Sequence, residues 1–289
     1  MLQTLIAKIW ENYELIDSGN EEKLERFGHF TFVRPEPKAL WAKQLPVTTW
    51  QTADAIYRRN NKGGGNWEFK KRVNDFVINW KSLKFSLKPT GFKHVGIFPE
   101  QSEVWHWIQN KIQNSKRDIN VLNLFAYTGG STLAAAASGA RVTHLDAAKD
   151  IVNWASENAR LSDLKDKPIR WIVDDAVAFV KREIKRNSKY DVIIMDPPKF
   201  GRGSQGEVWK IERDLPKLLQ LCRQVLSNDP LFFLMVNYST EYSAEVMHNM
   251  LQQTMKAYGG SIEYGELALQ QSSNQFLLPE STFTRWFLP

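Results

Sequence analysis

Residues 120–146 read NVLNLFAYTGGSTLAAAASGARVTHLD, and this stretch decides the fold. Residues 121–126 form an apolar run with the length of a buried strand. Gly129 and Gly130 follow, then an Ala-rich segment with the composition of a tightly packed helix, closed by Gly139. A second strand, residues 141–145, ends on Asp146. Strand, glycine turn, helix, strand and acid in that order make the first half of a nucleotide-binding α/β unit, with the acid placed to bind two ribose hydroxyls. The helix N-terminus at Gly129 offers N–H groups to an anionic ligand. GxGxxG does not occur, which argues against a nicotinamide oxidoreductase.

A second stretch, YDVIIMDPPKF at residues 190–200, lies downstream. The run from Val192 to Met195 reads as a central parallel strand buried on both faces. Pro197 and Pro198 cannot donate to a sheet ladder, so the strand stops there. Asp196 and a stiff turn therefore sit at the carboxyl end of a central strand, where open α/β sheets bind their ligands.

Together, LNLFAYTGGSTLAA, HLDAAKDIVNWASENARLS and DVIIMDPPKF resemble the class I S-adenosylmethionine-dependent methyltransferases. More narrowly, they resemble the family that includes the bacterial large-subunit ribosomal RNA methyltransferases making 5-methylcytosine and 7-methylguanine. The likeness covers about residues 96–238, and the N-terminal third looks like that of free-standing members of the same family. It implies a Rossmann-like α/β fold with a seven-stranded methyltransferase sheet and S-adenosyl-L-methionine as cofactor. The glycine-rich turn of such enzymes, acid-x-Gly-x-Gly-x-Gly, appears here as Asn123-x-Phe125-x-Tyr127-x-Gly129. The resemblance places the cofactor on Phe98, Asn123, Phe125, Ala126, Tyr127, Thr128, Gly129, Asp146, Ala147, Asp174, Asp175 and Asp196. Phe98 belongs to a G-x-F segment, Gly96-Ile97-Phe98, that approaches the methionine end of the cofactor in the family. The ribosomal RNA enzymes continue with Asp-Gln-Arg, whereas Pro99-Glu100-Gln101-Ser102 follows here. One of Asp174 and Asp175 is expected to meet the adenine amino group and one to cap the next helix.

The catalytic turn is expected to be Asp196, Pro197, Pro198 and Phe200. The Asp196 carboxylate and the Pro197 carbonyl suit a planar nitrogen nucleophile, and the Phe200 ring can stack on its base. Lys199, Arg202, Lys210 and Arg213 flank the turn as candidate phosphate contacts. Methylation at carbon 5 of a pyrimidine requires a thiolate to add at carbon 6. The ribosomal cytosine enzymes carry that cysteine near the tip of the fifth strand, where this chain has Asn237-Tyr238-Ser239. Its only thiol, Cys222, falls on the apolar face of a helix that starts near Ile211.

The remaining composition sets the frame. A chain of 289 residues suits one large domain plus a smaller one. We expect a β-rich N-terminal domain over residues 1–90, with a role in substrate recognition, and a methyltransferase domain over 91–289. Segments NYELIDSG, KLERFGHFTFVRP and SLKFSLKP read as strands, while NNKGGGNWEF reads as a flexible loop, with Arg58, Arg59 and Lys62 read as solvated charges before phosphate contacts. The five N-terminal tryptophans read as buried anchors before stacking surfaces. A net charge of +6 permits a polyanionic partner. One cysteine, no signal peptide and no membrane-length apolar run point to the cytoplasm. The five histidines are scattered without metal-ligand spacing. The function expected is methylation of a base nitrogen in RNA, with ribosomal RNA the favoured partner. The alternatives are a methyltransferase for a small molecule or protein side chain, and a non-catalytic RNA-binding module.

Overall fold

The computed structural model describes residues 2–8, 10–60, 64–203 and 206–288, so Lys62 lies outside the described residues. The chain forms two compact units: Ile6–Glu103 with Ala268–Glu280, and Met1–Leu5, Val104–Leu267 and Ser281–Pro289. The N-terminal unit thus runs past the expected boundary at residue 90 and takes back a late segment. Backbone pairing explains the return: Ser272 and Ser273 donate to the carbonyls of Leu15 and Ile16.

After β1 (Gln3–Ile6), the N-terminal unit builds a five-stranded sheet in the order β2 (Tyr13–Gly19), β3 (Glu22–Phe27), β4 (Phe30–Pro35), β5 (Ala55–Arg59), β6 (Gly65–Phe69), with a short helix α1 (Val47–Trp50) between β4 and β5. A hairpin, β7 (Phe76–Trp80) and β8 (Leu83–Leu87), follows. The loop expected at residues 60–69 is therefore half strand. Trp67 and Phe69 are good sheet residues, and their pairing with Tyr57 and Ala55 carries Asn66 into register with Arg58. Of the N-terminal tryptophans, Trp50 and Trp80 are buried, while half-buried Trp10, Trp41 and Trp67 donate their indole N–H to the carbonyls of Pro99, Ser18 and Thr90.

One face of this sheet packs Leu24, Val33 and Ile56 against Trp50 and Ala53 of the α1 region. The opposite face buries charge. Lys23 lies 2.5 Å from Glu280, 3.6 Å from Glu36 and 3.7 Å from Glu25, and Arg34 holds Glu25 at 2.7 Å. Glu100 is buried as well and acts on Glu280. Four buried carboxylates thus face two buried cations, with Lys38 and Lys93 reaching in from half-exposed positions. The excess acid is relieved at Glu280, whose carboxyl is pushed up to about 7 by burial and by Glu36, Glu100 and Glu25, against the pull of Lys23. Glu36 moves the other way, down to about 2, because Lys23, Lys93 and Lys38 outweigh its burial.

In the second unit, helices alternate with parallel strands. They are α2 (Ser102–Asn114), β9 (Asn120–Leu124), α3 (Gly130–Ala137), β10 (Arg141–Asp146), α4 (Lys149–Leu161), β11 (Ile169–Val173), α5 (Ala176–Lys185) and β12 (Val192–Met195). A small hairpin of β13 (Phe200–Arg202) and β14 (Val208–Lys210) leads into α6 (Ile211–Val225) and β15 (Phe232–Asn237). Helix α7 (Ala244–Met255), β16 (Ser261–Gln270) and β17 (Leu277–Phe287) complete the unit. The large sheet has the order β1-β16-β17-β15-β12-β9-β10-β11: the seven strands expected, with β1 added at one edge. Strands β15, β12, β9, β10 and β11 are parallel, and β17 runs antiparallel to β15. The central strands are buried on both faces, under α2 and α3 on one side and α5, α6 and α7 on the other. The chain leaves β9 toward β10 on one side and returns to β12 on the other. The switch point, and the crevice it opens, therefore lies between β9 and β12. Among the described residues no helix is long and apolar enough to cross a membrane.

Two measurements test this packing. A Cβ at Gly130 would lie 2.4 Å from the Trp105 ring, so Gly130→Ala is expected to destabilise the chain by about 1–3 kcal/mol. That overpacking outweighs the roughly 1 kcal/mol by which Ala is the better helix former, and denaturant unfolding with an unchanged slope checks it. The charge cluster gives a pH signature. Between pH 4.5 and about 7, Glu280 loses its proton in the unfolded chain but keeps it in the folded one, so stability falls as pH rises through that window. Below 4.5 the contribution of Glu36 is lost as pH falls toward 2. Glu280→Gln is expected to flatten the decline between pH 4.5 and 7 in thermal unfolding, by roughly 3 kcal/mol at most.

Candidate active site

The parallel registers put five strand tips on one level. Ile172, Leu145, Leu124, Met195 and Met235 stand side by side, so the next residues outward include Asp146, Phe125 and Asp196. Asp146 and Asp196 are two strand spacings apart, roughly 10 Å, with the β9 turn between them.

That turn is unusual in its backbone. Phe125, Tyr127 and Gly129 have φ of 55°, 48° and 94°. Positive φ is native to glycine and strained for bulky residues, yet it recurs at the three positions where the familiar motif carries glycine. The aromatic replacements have kept the glycine conformation. Several contacts hold it. The Tyr127 N–H donates to Asp146 Oδ2 at 3.0 Å, Ala126 N–H to the Leu145 carbonyl at 3.0 Å, and the buried Asn158 amide on α4 to the Thr128 carbonyl at 2.9 Å. Helix α3 then starts without a side-chain cap, which leaves the N–H groups of its first turn without helical partners.

Asp146 is well placed as an acceptor. Oδ1 takes the Ala148 N–H at 3.1 Å and Oδ2 that of Tyr127, which leaves acceptor capacity on the carboxylate. Burial raises its carboxyl above the usual range, opposed by the backbone N–H groups of Ala148, Tyr127 and Ala147. Asn123 behaves differently from the expectation of a ligand contact. Its amide is buried and donates to Thr132 Oγ1 at 2.9 Å, which in turn meets His144 Nδ1 at 2.8 Å. This side chain pins α3 to β9 from beneath the turn. Burial drives His144 down to about 3, so it is a neutral member of that chain.

The structure divides the two acids after β11. Asp175 caps α5 by accepting the Ala178 N–H at 2.8 Å, whereas Asp174 accepts the Asp175 N–H and pairs with Arg182. Phe98 lies in the N-terminal unit, its ring 5.2 Å from that of His94.

Beyond β12, Asp196 is half-buried, Pro197 buried, and Pro198, Lys199 and Phe200 exposed. The residue that fixes this turn is Trp209, which the sequence reading passed over. It is buried, its ring lies 4.9 Å from Phe125, and its indole N–H donates to the Pro198 carbonyl at 2.6 Å. One side chain therefore ties the β9 turn to the Asp-Pro-Pro turn. Its only sequence signal was a tryptophan between two residues of a three-residue strand. Because Trp209 and Gly201 face inward, Phe200, Arg202, Val208 and Lys210 share the outward face of the hairpin. Of the four expected cations, Lys199 pairs with Glu241, and Arg213 with Asp214 and the Val208 carbonyl. Arg202 and Lys210 make no ion pair among the described residues.

The model of the S-adenosylmethionine-dependent methyltransferase family matches residues 33–244 of this chain. The chain belongs to that family. A crystallised SAM-dependent methyltransferase from Agrobacterium tumefaciens is 41% identical, with a TM-score of 0.95 over 99% of this methyltransferase and 94% of its own chain. Ribosomal RNA large subunit methyltransferase K/L of Shewanella frigidimarina is 32% identical over 61% of this chain and 24% of its own. That of Marinobacter nauticus is 34% identical over 54% and 21%. The chain thus spans under a quarter of the length of these ribosomal RNA enzymes. The cofactor of the methyltransferase is S-adenosylmethionine, and the uncapped α3 N-terminus with the open acceptor positions of Asp146 fits its carboxylate and ribose.

Trp209→Phe keeps a ring against Phe125 and removes the bond to Pro198. It is expected to lower kcat about tenfold, or about 1.4 kcal/mol, with little change in cofactor affinity. Steady-state transfer kinetics with cofactor titration check this. Loss of affinity with kcat intact would mean that the hairpin serves the cofactor turn alone.

Proposed function

We propose that this methyltransferase methylates a nitrogen of a base in RNA, ribosomal RNA being the favoured acceptor. The observation that carries the reading is the Asp196-Pro197 turn at the carboxyl end of β12, continued by a hairpin whose outward face aligns exposed Phe200 with Arg202 and Lys210. When bound, S-adenosylmethionine supplies an electrophilic methyl carbon on a positively charged sulfur. The first-turn N–H groups of α3 would hold its carboxylate, Asp146 its ribose hydroxyls and Asp174 its adenine amino group, Asp175 being committed to its cap. The Asp196 carboxylate and the Pro197 carbonyl accept N–H bonds from the acceptor base and turn its nitrogen toward the methyl-bearing end of the crevice. Phe200 stacks on the ring, which an extruded or single-stranded base makes available. Alignment is what these groups contribute, as an in-line displacement requires.

Nitrogen rather than carbon 5 is the proposed acceptor because no thiolate is at hand. Cys222 is fully buried on α6 with its thiol pushed far up by burial, and Asn237 at the β15 tip is engaged with Ser239 and Tyr242. The ribosomal RNA names of the relatives and the +6 charge support an RNA acceptor, and a single buried cysteine suits a reducing cytoplasm.

The test is transfer of labelled methyl from S-adenosylmethionine to RNA, protein and metabolite fractions from cells lacking this protein. Label is expected in RNA as an N-methylated nucleoside, with Asp196→Ala reducing it on the order of 100-fold. Label as 5-methylcytosine, or only in the other fractions, would overturn the reading.

A further inference from the structure

The N-terminal unit carries an aromatic strip that its own core does not use. Strand β6 is an edge of the five-stranded sheet. By alternation, Trp67 and Phe69 share the face that Phe32 and Tyr57 occupy on β4 and β5. Inward, that face is closed: Tyr57 and Phe32 are buried and their rings lie 5.4 and 5.6 Å from Trp67. Outward, it opens. The Phe69 ring stacks on Trp67 at 6.1 Å and 24° and is 52% exposed. The Trp67 indole also donates to the Phe92 carbonyl at 3.2 Å, and Phe92 is 70% exposed. Phe69 stacks on the indole and Phe92 is tied to it through its backbone carbonyl, and two exposed phenylalanines held this near each other are costly to leave in water unless something covers them.

The charge beside them is one-sided. Arg59 lies opposite Gly65 on the same face, and Arg72 follows three residues after Phe69. Both are exposed and make no ion pair among the described residues. Glu68, the one acid on the strand, projects to the other face, where it meets Arg58 at 3.4 Å. Aromatic faces flanked by uncompensated guanidinium groups accept bases by stacking and phosphates by charge, without regard to sequence.

We propose that the Phe69–Phe92 strip is a binding surface for single-stranded RNA, with Arg59 and Arg72 on its phosphates. The assignment rests on the RNA reading above and gives the N-terminal unit its part in holding substrate.

The test uses the full chain and a fluorescent single-stranded RNA of about 12 nucleotides and mixed sequence, followed by anisotropy across a salt series. Phe69→Ala with Phe92→Ala is expected to weaken binding about tenfold, while Phe69→Tyr with Phe92→Tyr retains it. Arg59→Glu with Arg72→Glu is expected to weaken binding and lower its salt dependence. Cofactor affinity, measured by calorimetry, should stay at the wild-type value in every variant, which shows that the fold is intact. If the wild-type chain methylates and binds RNA but the double alanine variant binds equally well, this assignment alone is overturned. If the wild-type chain neither binds nor methylates RNA, the RNA reading falls and this assignment with it. Self-association seen in sedimentation that the alanine variant abolishes, with RNA affinity unchanged, would give the strip to a second copy and overturn the assignment.

Discussion

The turn between Leu124 and Gly130 keeps two aromatic residues in a backbone conformation that side chains rarely adopt, and the carboxyl edge of the sheet is built to keep it there. Each such residue costs about 1 kcal/mol or more. The Asp146 carboxylate, accepting the Tyr127 N–H, contributes a charge-assisted bond of about 1.5–3 kcal/mol. The Phe125–Trp209 ring contact adds about 0.5–1.5 kcal/mol beyond its buried area. Strain and support thus meet at the same residues that face the crevice. Asp146 shapes the turn and still presents acceptor positions outward, and Trp209 anchors the turn and also fixes the Asp-Pro-Pro segment through Pro198. A change at either residue is felt at both ends of the site.

The N-terminal unit is organised by a different constraint. Its sheet packs apolar side chains on one face and on the other buries charge alongside Phe27, Phe32 and Tyr57, and the charge cluster works because Lys23 and Arg34 are surrounded by carboxylates at short range. Removing one partner from such a network leaves an uncompensated buried charge, which costs more than any surface ion pair contributes. The Ala268–Glu280 segment belongs to this unit through that network, since Glu280 supplies the partner closest to Lys23.

Much of the methyltransferase unit was legible in the sequence because a buried parallel strand needs a continuous apolar run and an Asp-Pro-Pro segment has to end one. Residues 192–195 were read to the residue. Legibility failed where an element has too few residues to show a period or a partner too distant to guess. The three-residue strands that carry Phe200 and Trp209 are of the first kind. Lys23 is of the second: its segment reads as a strand, but the Glu280 partner lies 257 residues away. Asp174 and Asp175 were equivalent by type and spacing, and only the geometry of the Ala178 N–H separates them. Asn123 shows the reverse case. It holds the position of the family acid, but its amide is spent on Thr132 under the turn. The turn lacks two of the family's glycines, yet φ stays positive at Phe125 and Tyr127, so the backbone path there does not follow residue type.

The most direct test of this account is a crystal structure of the chain with S-adenosylhomocysteine, the demethylated cofactor. The account predicts both ribose hydroxyls on the Asp146 carboxylate, the amino-acid carboxylate at the first turn of α3, and positive φ retained at Phe125 and Tyr127. A ligand that leaves Asp146 untouched, or a turn that relaxes to negative φ around it, would contradict the claim that this strained turn is the cofactor's seat.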